Sequence, residues 1–467
     1  MHFILLITIV FNAITQDYQT DFPKEEFKAR RDKVFEFIGK NVAFIQGEAV
    51  PRGSYQFRQS NTFYYLTGLE SHHSYIFMNG RSKQTIIYMP HRDSGRERTE
   101  GPLFFAEDVE KIKELTGVDD VRPIEELFRD LTWGALVRLP NPALYTEFSP
   151  LEGTIEFRDQ VIAAQAEYFA DPWDQRPSRR GRFIQLIRER YPQFEIRDLT
   201  PKLDDMRLIK SKREIDLIRK ASEIAGMGIM EAMRSTQANV MEYQLRAAAF
   251  FVFLNNGSRS EAYAGIVGGG TNAWYGHYSR NTKPLKNGDL VLLDMAPDYH
   301  YYSSDVTRCW PVNGKFSKDQ RDLFGFAVRY KHAFLNYIKP GATADGVLEK
   351  AAKEMRPVWE SINWSKDIYK KAAEKALTFK GHMQHPVGMS VHDVGVYKNK
   401  PFEPGLVFSV DPMIWVPEEN LYIRLEDVVV VTEDGVEVLS DNLTDDLDEI
   451  ERLIAEDGIV QKRPANY

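Results

Sequence analysis

Asp294 in LVLLDMAPDY, Asp305 in SSDVTRCW, Asp411 in GLVFSVDPMIW and Glu426 in LYIRLEDVVVV are carboxylates set among apolar, strand-forming residues. An ionised carboxylate in such surroundings costs several kcal/mol unless a cation, a proton or a set of hydrogen bonds compensates it. Their spacing suggests the compensation. Tyr299-His300 stands midway between Asp294 and Asp305, and Glu418-Glu419 midway between Asp411 and Glu426. Hairpins folded about those midpoints would oppose each pair, with Cβ atoms about 4.5–5.5 Å apart. Like charges at that range destabilise one another and ask for a counter-cation. A pair of divalent metal ions answers that demand, because two-metal sites share bridging carboxylates over about 3.5–4 Å. His385 and His392, in HPVGMSVHDVG, lie between the two hairpins in sequence. An oxygen-rich donor set with one imidazole suits Mn2+ and also admits Co2+, Zn2+ or Fe2+.

Each residue alone has a plainer reading. Asp294 reads as a strand-end turn or cap, Glu426-Asp427 as an edge-strand pair with Arg424, and His392-Asp393 as a surface dipeptide. The mirrored spacing, with histidines between, makes the metal site the better account of the set.

The elements that must carry these residues follow from capping and periodicity. Ser211 with Glu214 forms a capping box opening a long helix towards Met233. Asn239 with Glu242 reads as a second such start, and Asn256-Gly257 as its stop. From Ala262 strand pairs dominate, then helices near 318–338 and 343–361, then strands at 405–415 and 421–432. The first half reads differently. A charged amphipathic helix over 23–40 precedes the strand-like runs NVAFIQG, NTFYYLTGL, SYIFMNG and TIIYMP, with EDVEKIKELTG as an intervening helix. That alternation predicts an α/β N-terminal domain, and RYPQFEIRDLTPKLDDM reads as the connection out of it.

Length and composition bound the alternatives. The chain of 467 residues exceeds one ordinary domain, and 43% hydrophobic with 27% charged residues is the balance of a soluble globular protein. A net charge of −8 without a clustered basic patch excludes nucleic acid as a partner. The single cysteine, Cys309, excludes an intramolecular disulfide and a Cys-based zinc site, and reads as an inert core thiol. The opening MHFILLITIVFNAITQ is too short to span a bilayer and reads as a secretory leader with a cut near Gln16, although its first residues lack Lys or Arg. A buried N-terminal strand is the alternative reading. Beyond the leader no membrane-spanning segment is expected.

The segments GHYSRN, LLDMAPDY, SSDVTRCWPV, HPVGMSVHDVG and YIRLEDVVVVTEDGVEVLS resemble the pita-bread metallopeptidases, and FRQSNTFYYLTGLE resembles the N-terminal domain signature of aminopeptidase P. The resemblance implies an α+β pita-bread catalytic domain over residues 200–458, after an aminopeptidase P-type α/β domain over 16–195. A leader over 1–15 and a tail over 459–467 complete the division. It also implies two divalent metal ions, Mn2+ foremost, with Asp294, Asp305, His385, Asp411 and Glu426 as ligands, Asp305 and Glu426 bridging. His277 would face the scissile nitrogen side, His392 would stabilise the carbonyl oxygen, Asp411 would move the proton, and Arg424 would support the ligand carboxylates. The implied reaction is release of the N-terminal residue from peptides with proline second, through a metal-bridging hydroxide. A prolidase cutting Xaa-Pro dipeptides is the alternative, and a non-catalytic peptide-binding relative a more distant one. Peptide substrates, a dimer or tetramer, and a periplasmic or secreted location, with the cytoplasm as alternative, complete the expectation. Two positions depart from the family pattern. Asp411 stands where glutamate is usual, and His382 lies three residues before His385 where the family's extra histidine lies four before. His382 therefore stays open between a pocket-lining and a structural role.

Overall fold

The computed structural model describes residues 18–51, 56–153, 157–174 and 176–464. The predicted leader, residues 1–15, lies outside them. Among the described residues no helix is long and apolar enough to cross a membrane. The chain divides into two compact units, one of residues up to Thr146 with Arg188–Arg197, the other of Glu147–Ile187 with Asp198 onward.

The first unit is built on one mixed sheet. Its strands are β1 (Val42–Gln46), β2 (Tyr75–Asn79), β3 (Gln84–Met89), β4 (Asp120–Pro123), β5 (Ala143–Thr146) and β6 (Glu195–Asp198), in the order β4-β3-β2-β1-β5-β6. β1, β2 and β3 pair antiparallel, whereas β1 with β5 and β3 with β4 run parallel. Helices Lys24–Ile38 and Val109–Thr116 pack beside it, which makes the domain α/β as expected. NTFYYLTGL is a correction. Its aromatic content reads as strand, but Asn61–Thr67 is a fully buried helix. Two guanidiniums from the first helix decide this. Arg30 donates to the Tyr65 carbonyl at 3.0 Å and Arg31 to the Leu66 carbonyl at 2.8 Å, which satisfies the helix C-terminus inside the core. Gly68 then ends the helix in the left-handed conformation at φ 68°, where an added Cβ would meet the Phe27 ring at 2.5 Å.

The second unit contains the strands β7 (Ser260–Glu261), β8 (Ile266–Gly269), β9 (Leu290–Asp294), β10 (Pro297–Asp298) and β11 (Thr307–Pro311). It continues with β12 (Met383–Pro386), β13 (Val407–Val410), β14 (Met413–Val416), β15 (Leu421–Arg424), β16 (Asp427–Val431) and β17 (Val436–Val438). They form the sheets β11-β9-β8 and β12-β13-β16-β17, with the ribbons β14-β15 and β10-β7. Helices Lys212–Arg234, Glu242–Asn255, Lys318–Leu335 and Ala344–Ser361 cover them. The first carries the Ser211–Glu214 capping box that the sequence predicts. The second starts at Glu242, but Asn239 does not cap it. Asn239 adopts φ 74°, and the Glu242 carboxylate instead accepts the N–H groups of Gly269 and Lys283, each at 2.9 Å. The predicted connection out of the first domain holds β6 and a helix, Thr200–Leu208. One apolar core, including Ile224, Phe253, Leu293, Trp310, Phe324 and Phe408, fills this unit.

Candidate metal centre

Asp294 ends β9 and Asp305 just precedes β11, and the turn between those strands differs from the symmetric expectation. His300 and Tyr301 adopt φ 50° and 74°, and Tyr299 and Tyr302 exchange hydrogen bonds of 2.9 Å around them. The hairpin therefore closes one residue later than the expected midpoint, and Asp294 is opposed by Thr307, not Asp305. The two carboxylates still meet, because the buried Tyr263 hydroxyl donates to Asp294 Oδ1 at 2.5 Å and to Asp305 Oδ1 at 3.0 Å. The approach to Asp305 is held from behind. Tyr302 donates its hydroxyl to Glu214, and the Ser304 and Ser222 hydroxyls bond at 2.7 Å, tying the segment to helix Lys212–Arg234.

The second hairpin keeps the expected register. Met413 pairs with Arg424 and Val410 with Asp427, so Asp411 and Glu426 are opposed between them. Both leave their own ladder there. Pro412 has no N–H to give it, the Asp411 N–H goes to the His382 carbonyl at 2.7 Å, and Glu426 exchanges backbone hydrogen bonds with Thr307. The bridge to Thr307 fastens the second hairpin to the first, and brings Glu426 to the Asp305 end of the site. His385 comes from β12, the neighbour of β13. Its Nδ1–H donates to the Pro386 carbonyl at 3.2 Å, which leaves Nε2 facing Asp305 Oδ2 at 3.3 Å.

Arg424 stands at the centre of the carboxylates. Its guanidinium donates to Asp294 Oδ2, to Asp411 Oδ2 at 2.8 Å and to Glu426 Oε2 at 2.6 Å. Thr307 adds a hydroxyl to Glu426 Oε2 at 3.0 Å, and Gln384 an amide to Asp411 Oδ2 at 2.5 Å. One oxygen remains on each of two residues: Asp411 Oδ1 and Glu426 Oε1 are buried without a hydrogen-bond partner. Burial pushes the Asp294, Asp411 and Glu426 carboxyls above their usual range, against the pull of Arg424. Asp305 moves the other way, since burial is outweighed by the hydrogen bond and charge of His385. Ligand atoms of Asp305, His385 and Glu426 lie within 4.8 Å of one another. This donor set fits divalent metal ions: it has surplus negative charge, hard oxygens, an imidazole nitrogen turned inward and two orphaned carboxylate oxygens.

His392 reaches the same site, with its ring centroid 4.1 Å from that of His385. Its Nδ1 faces Asp159 Oδ2 at 2.7 Å, and its ring lies 4.8 Å from that of Phe157. Burial, then the neighbouring His385, pull its pKa below the ordinary histidine value. Asp393 does not belong to a surface dipeptide. It is buried against Arg207 at 2.5 Å and Lys210 at 3.2 Å, which anchors the loop that carries His392. His277 stands apart, exposed on the loop after Gly270–Trp274, and makes no hydrogen bond or ion pair to the carboxylates among the described residues. His382 is built into the scaffold. It is fully buried, its Nε2–H donates to the Ala376 carbonyl at 2.8 Å, its Nδ1 accepts the Met413 N–H at 3.2 Å, and burial pushes it down to about 4. Cys309 is the core thiol expected, its Sγ 3.3 Å from the Arg424 carbonyl, with burial raising it to about 12.

Sequence reasoning missed Tyr263, Thr307, Gln384, Phe157 and Asp159. Gln384, between His382 and His385, carried the one local signal. Asp159, which lies 233 residues from His392, carried none.

Comparison with known proteins places these features in a family. The model of metallopeptidase family M24 matches residues 216–433, and that of the aminopeptidase P N-terminal domain matches 27–135. Xaa-Pro aminopeptidase 3 of Rattus norvegicus is 30% identical over 420 residues, covering 85% of this chain and 77% of the relative. Xaa-Pro aminopeptidase of Haemophilus influenzae is 28% identical over 469 residues, covering 94% and 99%. The structure of a glutamate-to-alanine variant of Escherichia coli aminopeptidase P in complex with substrate superposes with a TM-score of 0.74 at 26% identity, covering 93% of this chain and 99% of that one.

Proposed function

The chain belongs to metallopeptidase family M24, in the pita-bread branch that carries an aminopeptidase P N-terminal domain, and from that premise we propose that it is an Xaa-Pro aminopeptidase. It would release the N-terminal residue of peptides with proline in second position. The observation that carries the reading is the convergence of four buried carboxylates and His385 on one spot, with Asp411 Oδ1 and Glu426 Oε1 left unpartnered there.

Asp294, Asp305, His385, Asp411 and Glu426 would hold two divalent ions, Mn2+ first among the candidates. Bound there, the ions would supply Lewis acidity to a water nucleophile and to the scissile carbonyl. The chain's own groups do the rest. Arg424 and Tyr263 hold one oxygen each of neighbouring carboxylates, so that repulsion among them does not splay the site. Asp411, with one oxygen free, is placed to take a proton from the attacking water and pass it to the leaving nitrogen. His392 is oriented through Nδ1 by Asp159, whose carboxylate favours the imidazolium; in that form Nε2–H would donate to the carbonyl oxygen as negative charge develops on it. His277 is assigned to the scissile-nitrogen side by its match to the family motif. Substrates would be peptides, the assembly a dimer or tetramer, the location periplasmic or secreted, and the two domains those given by residues 16–195 and 200–458.

A cleavage panel with and without Mn2+ tests this reading. Xaa-Pro-Yaa tripeptides should lose their first residue, and stripping the protein with a chelator should abolish turnover until Mn2+ is restored. Cleavage of Xaa-Pro dipeptides with none of tripeptides would replace the proposal with prolidase activity. No hydrolysis of either by Mn2+-loaded protein would overturn it.

A further inference from the structure

Asp411 is one methylene shorter than the glutamate usual at its position, and the structure contains a candidate compensation. Its two oxygens are treated unequally. Oδ2 receives two donors, the Gln384 amide at 2.5 Å and Arg424 Nε at 2.8 Å. Oδ1 receives none and is buried. Both donors therefore act on one side of the carboxylate, and together they fix its rotation about the Cβ–Cγ bond. Arg424 alone would not do so, because it divides its guanidinium among Asp411, Asp294 and Glu426. Gln384 is aimed by the same backbone that supplies His385. It lies in β12, whose pairing with β13 shifts register between Met383 and Pro386, and Asp411 directly follows the last residue of β13. The Asp411 N–H bond to the His382 carbonyl draws the two segments together at that point.

We propose that Gln384 is a positioning residue for the metal centre: its amide holds Asp411 Oδ2 so that Oδ1 is the atom presented to a divalent cation. The shorter side chain then serves where a glutamate would reach by length. This assignment rests on the reading of the site as a metal centre.

Calorimetric titration of Mn2+ into chelator-stripped protein tests it without reference to turnover, using the parent, Gln384→Ala, Asp411→Glu and the double variant. Loss of a side chain that orients a ligand weakens metal binding by about tenfold or more, and that loss is expected for Gln384→Ala. In the Asp411→Glu background the same substitution should weaken binding by less than about threefold, since the longer side chain no longer depends on the amide. A purely structural role for Gln384 would cost the same in both backgrounds, and that outcome overturns the proposal. So does parent-like Mn2+ affinity in Gln384→Ala. A parent protein that takes up no Mn2+ overturns the metal reading and this assignment together, which separates the two failures. If Gln384→Ala does not fold, Gln384→Asn, which keeps the amide but shortens its reach, undergoes the same comparison with the same expected and overturning results.

Discussion

Glu426 and Asp427 are neighbours in sequence, yet they enter two buried ionic clusters of opposite character. Around Asp427 the charges balance. Arg308 meets its Oδ1 at 2.8 Å, Lys331 its Oδ2 at 2.7 Å, and Ser440 donates a hydroxyl at 2.6 Å. Lys331 also meets Asp445 at 2.5 Å. Burial would raise the Asp427 carboxyl, but Arg308 and Lys331 outweigh it and hold the group below its usual range. Around Glu426 four carboxylates share one guanidinium and a histidine, burial wins, and the carboxyl is pushed well above its usual range. Burial is equally complete in both. What distinguishes them is charge balance, and only the unbalanced cluster keeps carboxylate oxygens without a partner. A buried ion network that is complete serves the fold, and one left incomplete leaves a place for a cation.

The difference can be broken from either side. Asp427→Asn should produce the largest effect, because it leaves buried Arg308 with no carboxylate and Lys331 with Asp445 alone. Such losses cost about 3–5 kcal/mol. Denaturant unfolding of chelator-stripped protein should show it, while Mn2+ uptake per folded chain stays at the parent value. An unchanged midpoint would mean that the balanced cluster contributes nothing to the fold.

Acid offers a second lever. Burial favours the neutral form of Asp445, but the hydrogen bond from His332 and the charge of Lys331 prevail and depress its pKa. A carboxylate depressed in the folded state contributes stability above its unfolded pKa and loses it as pH falls through the folded value. The parent should therefore lose stability as pH drops below about 4, and Asp445→Asn should flatten that limb in a melting-temperature series. A parallel decline in the variant would assign the acid sensitivity elsewhere.

The smallest change carries the opposite sign. In stripped protein, Glu426→Gln removes one of several mutually repelling charges and should raise stability by about 1 kcal/mol, even as calorimetry shows Mn2+ binding lost. Destabilisation of the stripped variant would show that Glu426 is as well compensated as Asp427.

The Glu426 side of this contrast was legible in the sequence, whereas Asp427 reads there only as part of an edge-strand pair with Arg424. The mirrored spacing about Glu418-Glu419 led to the register that opposes Asp411 to Glu426, because a hairpin with one tight turn propagates its register along both strands. The same logic slipped about Tyr299-His300. Two consecutive left-handed residues, neither of them glycine, moved the turn by one position, and side-chain type does not announce that conformation. NTFYYLTGL failed for another reason. The arginines that satisfy its helix end lie about 35 residues earlier, and local propensity carries no record of a distant donor. Asp159 and Tyr263 were invisible for the same cause: each acts on the site only through contacts distant in sequence, Asp159 on His392 and Tyr263 on Asp294 and Asp305.

The paired backbone hydrogen bonds between Thr307 and Glu426, of 3.2 and 3.0 Å, also set a timescale. Each residue spends its peptide N–H on the other's carbonyl, in a buried position between two hairpins. Neither proton can reach solvent unless both hairpins part, so these two amides should exchange with deuterium as a pair and among the last in the chain. The loop that holds exposed His277 should exchange early. The segment around His277 would then open on a timescale far shorter than the carboxylate cluster that Thr307 and Glu426 hold together.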